Sequence, residues 1–207
     1  MKVQWDNLGR KALLLLLPLI VGCHSSGSDQ STAQQLSFDV VDSLLGPICE
    51  VATARKSFHP PVDFVPIPDS LFEILHTRFT QEVSPEGMIE FIRFFFDEQH
   101  SSGLIVSTVD GLNLTADTSI FIDKYRQAVL AEYGNDNVRV GDYWVDSIYV
   151  KNFIITDSVH VRFQLLCLSS EGDALELQYV VPRAVYATMI KSLESSIGTL
   201  KPLHQGG

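Results

Sequence analysis

The sequence predicts an α+β fold, an antiparallel β-sheet flanked by helices with a C-terminal helix packed on the sheet. Three patterns lead there. Between Ser158 and Cys167, apolar and polar residues alternate: Val159, Val161, Phe163, Leu165 and Cys167 face one way, and Ser158, His160, Arg162 and Gln164 the other. Leu175, Leu177, Tyr179 and Val181 alternate likewise around Glu176 and Gln178. A period of two marks a strand with one face on a core. After Pro182 the period changes. Val185, Tyr186, Met189, Ile190, Leu193 and Ile197 recur at three- and four-residue steps, one stripe of a helix that Pro182 opens and Gly198 closes. Strands joined by short turns and followed by a striped helix make a meander closed by a packing helix.

The remaining elements follow in chain order. His24 to Gln35 is polar and has almost nothing to bury, which predicts a flexible spacer. Phe38, Val41, Leu45, Ile48 and Ala52 repeat at helical spacing, with Gly46-Pro47 interrupting them, so a broken or two-part helix is expected over 36–57. Phe58 to Asp69 contains four prolines and reads as extended chain, with an edge strand at Phe64-Val65-Pro66-Ile67. Residues 84–109 allow two readings. Ser84-Pro85-Glu86 resembles a helix start, whereas Ile89 to Phe96 is rich in strand-forming residues, and two strands joined by a loop are favoured. Asp117 caps a helix with Phe121, Tyr125, Ala128 and Val129 on its apolar face, stopped at Gly134. Three strands are expected after it, with a Gly-containing turn over Ser169 to Asp173. A two-residue turn at Thr156-Asp157 would set Phe153 beside His160 and Tyr149 beside Gln164. That half-apolar face would need a cover, and a longer turn would shift the pairing.

The N-terminus reads as a targeting segment. Lys2, Arg10 and Lys11 precede an apolar run from Ala12 to Val21. That run is shorter than the roughly 20 residues of a spanning helix and within the roughly 7–15 of a signal-peptide core. Ile20-Val21-Gly22-Cys23 follows, and it resembles the lipobox of bacterial lipoprotein precursors. The resemblance implies cleavage between Gly22 and Cys23 and lipidation of Cys23, hence a membrane anchor. His24 stands where an Asp would imply retention at the inner membrane. This favours a cell-envelope location on the periplasmic side of an outer membrane.

Charge narrows the partners. The chain has 15 basic and 25 acidic residues, and residues 1–22 hold three of the former and one of the latter, leaving 12 against 24, a net charge of −12. Such a balance argues against nucleic acid and against polybasic docking on anionic lipid. Cys49 and Cys167 remain beyond the signal. Export permits a disulfide between them, and two buried thiols are the alternative. Asn113-Leu114-Thr115 matches a glycosylation sequon.

Leu175 to Lys201, a strand running through Pro182 into a helix ending Ser195-Ser196-Ile197-Gly198-Thr199-Leu200-Lys201, resembles the last strand and helix of PsbP-like and DcrB-like domains. Phe64-Val65-Pro66-Ile67-Pro68-Asp69-Ser70 is similar to their opening strand, with Leu71 and Phe72 where that family often has Trp. The resemblance implies an α/β/α sandwich around an antiparallel sheet over residues 58–201 and a non-catalytic accessory role. The expected organisation is signal peptide 1–22, tether 23–35, helical segment 36–57, PsbP-like domain 58–201 and disordered tail 202–207.

No catalytic motif stands out, and no cofactor or metal is expected. His59 beside Pro60-Pro61 reads as a loop residue, and His160, Arg162 and Gln164 as an outward sheet face. Asp97-Glu98 with His100 reads as a solvated turn. Asp136, Asp142 and Asp146 around Trp144 lack the Gly-centred loop of a calcium site. Cys167, on an apolar strand face, reads as an inert thiol. The expected function is therefore a membrane-anchored, non-enzymatic lipoprotein that binds or helps to assemble other envelope components, with a protein partner in the envelope. The alternative is a binding module for a small or lipid-like ligand in a cleft between sheet and helix.

Overall fold

The alternating segments pair into one large sheet. In a computed structural model, described for residues 33–82, 89–110, 112, 118–171 and 173–203, the strands are β1 (Gln34–Gln35), β2 (Cys49–Val51), β3 (Lys56–Phe58), β4 (Val65–Pro66), β5 (Ile89–Asp97), β6 (Ser102–Val109), β7 (Val138–Val145), β8 (Ile148–Thr156), β9 (His160–Leu168), β10 (Ala174–Pro182) and β11 (Lys201–Pro202). The helices are α1 (Asp69–Glu82), α2 (Thr118–Tyr133) and α3 (Tyr186–Gly198). Eight strands run in the order β1-β7-β8-β9-β10-β6-β5-β4, and three more in the order β11-β3-β2. Every pair is antiparallel except β1 with β7. The fold class is the expected α+β, with α3 packed on the sheet.

The main core lies between the sheet and α3. Leu104, Val106, Val150, Leu165, Cys167, Leu175, Leu177 and Tyr179 face Met189, Leu193 and Ile197 there. Each large side chain buried in this way contributes about 1.5–3 kcal/mol. On the opposite face, Phe121 packs with Val109, Leu166 and Leu168, while Val129 meets Val138, Phe153 and Ile155. Helices thus cover both faces.

Of the two readings for residues 84–109, the strand reading holds from Ile89, as β5 and β6; the Ser84-Pro85-Glu86 start lies outside the described residues. Val65–Pro66 is the expected edge strand, paired only with β5. Gly134 stops α2 as expected, with φ 79° and its N–H on Leu130 O at 2.9 Å; the Asp117 cap and the sequon at 113–115 lie outside the described residues.

Several expectations change. Residues 36–57 are not a two-part helix: they hold a 3₁₀ turn (Asp42–Leu44) and the hairpin β2–β3. The apolar spacing does not mark a buried stripe: Ile48 and Ala52 are exposed, and Cys49 and Val51 beside them are the residues that turn inward. Gly46 N–H bonds to Pro60 O at 2.7 Å, and Leu45 bridges Pro61, so past the 3₁₀ turn this backbone is satisfied by a neighbouring segment. Secondly, four strands follow α2, because residues 138–156 fold back at Asp146-Ser147, where Asp146 has φ 53°. Thirdly, the β8–β9 turn spans residues 157–160. Asp157 holds it, its carboxylate accepting from the N–H groups of Val159 (2.7 Å) and His160 (2.6 Å). Phe153 therefore stands opposite Gln164, and Tyr149 opposite Leu168. A four-residue shift is even, so every side chain keeps its face, and α2 supplies the expected cover. Lastly, Pro202 pairs in β11 and Leu203 N–H bonds to Arg55 O at 2.8 Å, so the tail is ordered through Leu203.

Pro182 is the last residue of β10 and does not open the helix; α3 begins at Tyr186. Gly198 lies within α3, for a reason of space. A Cβ there would sit 2.6 Å from Phe38 Cβ and 2.8 Å from Val40 Cγ2. Ala is normally about 1 kcal/mol better than Gly in a helix. Here Gly198→Ala should instead lose about 1–3 kcal/mol to overpacking. Gly141→Ala, with nothing within 4 Å of its Cβ, should be close to neutral. Urea unfolding of the two variants checks the contrast.

Candidate functional site

The small sheet β11-β3-β2 presents one face inward and one outward. Cys49, Val51, Lys56 and Phe58 are buried, whereas Glu50 is exposed. In register, Ser57 stands between Glu50 on β2 and Lys201 on β11. Ser57, His59 and Lys201 form one side of an open cleft of about 540 Å³, and the segment Val40–Ile48 forms the other. That second wall carries Val40, Leu45 and Ile48, together with Asp42. Ile48 is 53% exposed and Val40 37%.

The end of α3 positions the cleft. His59 N–H bonds to Thr199 Oγ1 at 2.8 Å, and Ser196 Oγ donates to His59 O. His59 Nδ1 lies 2.8 Å from Gly46 O. A carbonyl only accepts, so Nδ1 carries the proton in this bond. Ser57 is 6% exposed and its hydroxyl has no hydrogen-bond partner among the described residues.

The other side chains with chemical potential are used within the fold. Lys56 is fully buried, its ammonium donating to Ala54 O (2.8 Å) and Asp173 O (2.9 Å). This clamps the β2–β3 turn to the start of β10. Burial pulls the Lys56 pKa down to about 8. Burial pushes the Cys167 thiol up to about 12, and it raises Cys49 too. Both thiols are free, so the disulfide alternative gives way to two buried cysteines. Glu176 is buried beneath α2, where Tyr125 OH (2.6 Å) and Gln164 Nε2 (2.9 Å) donate to its carboxylate. Burial raises its pKa, and those two bonds oppose the rise.

The sequence candidates do not converge. Asp97, only 1% exposed, accepts from the His100 backbone (3.1 Å) and from its Nδ1 (2.7 Å), so this turn is buried at its acidic end and not solvated. Arg162 and Gln164 are half-buried and not simply outward: Arg162 donates to Tyr133 OH at 3.0 Å, and Gln164 meets Tyr125 and Glu176. His160 stays at the β8–β9 turn, 3.9 Å from Asp157. Asp142 takes the Tyr149 hydroxyl at 2.9 Å. Among the described residues, no cluster of His, Cys, Asp or Glu could hold a metal ion. Of the candidates, His59 alone enters the cleft. Asp42, Ser57 and Lys201 carried no sequence signal, because strand pairing joins Ser57 to Lys201 and the packing of the 3₁₀ turn brings Asp42 to them, not spacing along the chain. Cys23 and the cleavage site at Gly22 lie outside the described residues.

No protein-family profile matches the chain, and no curated protein matches it. Several solved structures are similar in fold, among them the following two. One is a crystal structure from Bacteroides thetaiotaomicron VPI-5482, at 16% identity over 78% of this chain with a TM-score of 0.42; the match spans 50% of that protein's length. The other is the solution structure of cyanobacterial PsbP (CyanoP) from Synechocystis sp. PCC 6803, at 10% identity over 85% of this chain and 98% of that one, with a TM-score of 0.49. The fold class rests on the strands and helices described above, and the cleft on its own residues.

The buried lysine yields a prediction. Between pH 8 and 10.5 the unfolded chain holds a proton on Lys56 that the folded chain has released, so this residue's contribution to stability rises with pH across that window. Relative to Lys56→Met, wild type should gain about 1 kcal/mol between pH 7.5 and 9 in urea unfolding. A constant gap would show that the lysine is not desolvated.

Proposed function

We propose that this chain is an envelope lipoprotein, anchored by lipid on Cys23 to the periplasmic side of an outer membrane, whose folded unit is a non-enzymatic accessory that binds other envelope components. Three features support the anchor: the Ile20-Val21-Gly22-Cys23 motif, the short apolar run before it and the polar stretch His24–Gln35. The folded unit begins at Ala33, ten residues after that cysteine, within reach of about 35 Å of extended chain.

One observation carries the binding role. Outside the cleft beside β3, Lys56, Asp97 and Glu176 are engaged by partners within the fold, whereas apolar side chains stand exposed at one end of the large sheet. Val65 (61% exposed) and Phe96 (41%) face each other across β4 and β5. Leu71 (44%) and Ile74 (56%) lie three residues apart on α1, which follows β4. Apolar surface grouped in this way suits a protein partner. The cleft beside β3 favours a second reading, binding of a small ligand, because its volume falls in the range of small-molecule sites.

Cells grown with labelled palmitate should label wild type and not Cys23→Ser; absence of label on wild type would remove the anchor. A photo-crosslinking residue at Phe96 should give a reproducible membrane-fraction adduct that the same residue at exposed Glu194 does not give. Identical results at both positions would remove the partner surface.

A further inference from the structure

We infer that the cleft beside β3 binds a small aliphatic zwitterion of the amino-acid or short-peptide class. This deepens the small-ligand reading of that cleft and is independent of the lipid anchor. The argument starts from the polar floor. Ser57 is more than nine-tenths buried, yet its hydroxyl lines the cleft and lacks a hydrogen-bond partner among the described residues. The hydroxyl is not one of the sealed, unsatisfied polar atoms of the core, so it is open to the cleft and can donate to a ligand there. Lys201 is its direct cross-strand neighbour on the same face, and such neighbours hold their Cβ atoms about 4.5–5.5 Å apart. One carboxylate can therefore accept from the Ser57 hydroxyl and the Lys201 ammonium together. Glu50 flanks Ser57 on the other strand, which steers the anion to the Lys201 side.

The opposite wall completes the class. Val40, Leu45 and Ile48 offer an aliphatic surface that is partly open to water, and an alkyl side chain laid on it removes apolar area from solvent. Asp42 stands on this wall with the opposite charge to Lys201. Neither has an ion-pair partner among the described residues, so the two charges line one cleft without neutralising each other. A ligand with an ammonium and a carboxylate at separate points spans that gap, whereas a simple anion or cation meets one charge of its own sign. His59 also lines the cleft, and with Nδ1 engaged by Gly46 O its Nε2 is the ring nitrogen available to a ligand.

Binding of leucine and of leucyl-leucine to the full-length protein in detergent, followed through the Ile48 methyl and His59 ring NMR signals, tests this. Whichever of the two fills the cleft should bind at least fivefold more tightly than leucine amide, which lacks the carboxylate, and than 4-methylpentanoate, which lacks the ammonium. Lys201→Met and Ser57→Ala should weaken the zwitterion at least fivefold, and Asp42→Asn should weaken it while leaving 4-methylpentanoate no weaker. Equal binding of the blocked compounds would overturn the inference. So would no response to any of the four while an apolar dye still shifts the Ile48 signal, an outcome that would keep the cleft as a ligand site of another class. No response even to the dye would remove both.

Discussion

The end of α3 is the joint on which the two sheets depend. Ser195 and Ser196 are fully buried there. Tyr179 on β10 and Ser196 share a hydrogen bond of 2.8 Å, and Ser196 in turn reaches His59 O, just past β3. Thr199 donates to Ser196 O and accepts from His59 N–H, and Ser195 Oγ accepts from Val41 N–H at 3.2 Å. A helix C-terminus, the large sheet, the small sheet and the N-terminal segment thus meet through a few short side chains. Only glycine at 198 lets Phe38 and Val40 close over this point. The same closure makes one wall of the cleft, so the candidate site is a consequence of how the N-terminal segment packs on α3.

Buried polar groups specify the rest of the assembly more than they strengthen it. Lys56 spends its ammonium on two carbonyls from separate turns, and Glu176 is held between Tyr125 and Gln164 under α2. Removing a charge from water is costly, and partners recover part of that cost only in one geometry. These interactions therefore favour one seating of the β2–β3 hairpin and one seating of α2. Aliphatic contacts alone would tolerate sliding by a residue or a turn.

This division explains what was legible beforehand. Strands β9 and β10, the α2 stop at Gly134 and the stripe of α3 follow from local periodicity and chain stereochemistry, which a sequence carries directly. The segment 36–57 misled because its apolar residues fall at helical spacing by chance: Ile48 and Ala52 stay exposed, while strand alternation buries Cys49 and Val51. The β8–β9 pairing misled because the side chain of Asp157 lengthened the turn, although the even shift left the face assignments intact. Lys56 gave no warning, since nothing in Arg55-Lys56-Ser57-Phe58 marks the lysine as the inward residue.

By itself the sequence determined the α+β class, the helix on the meander, the buried faces of β9 and β10 and the acidic balance. Each depends on residues that are neighbours along the chain or on composition alone. Tertiary structure decided the strand order, the free state of Cys49 and Cys167, the cover of α2 over Gln164 and the grouping of Asp42, Ser57, His59 and Lys201 around one cleft. Those features join residues up to 159 positions apart. No local pattern encodes such distances, because strand pairing and helix docking set them.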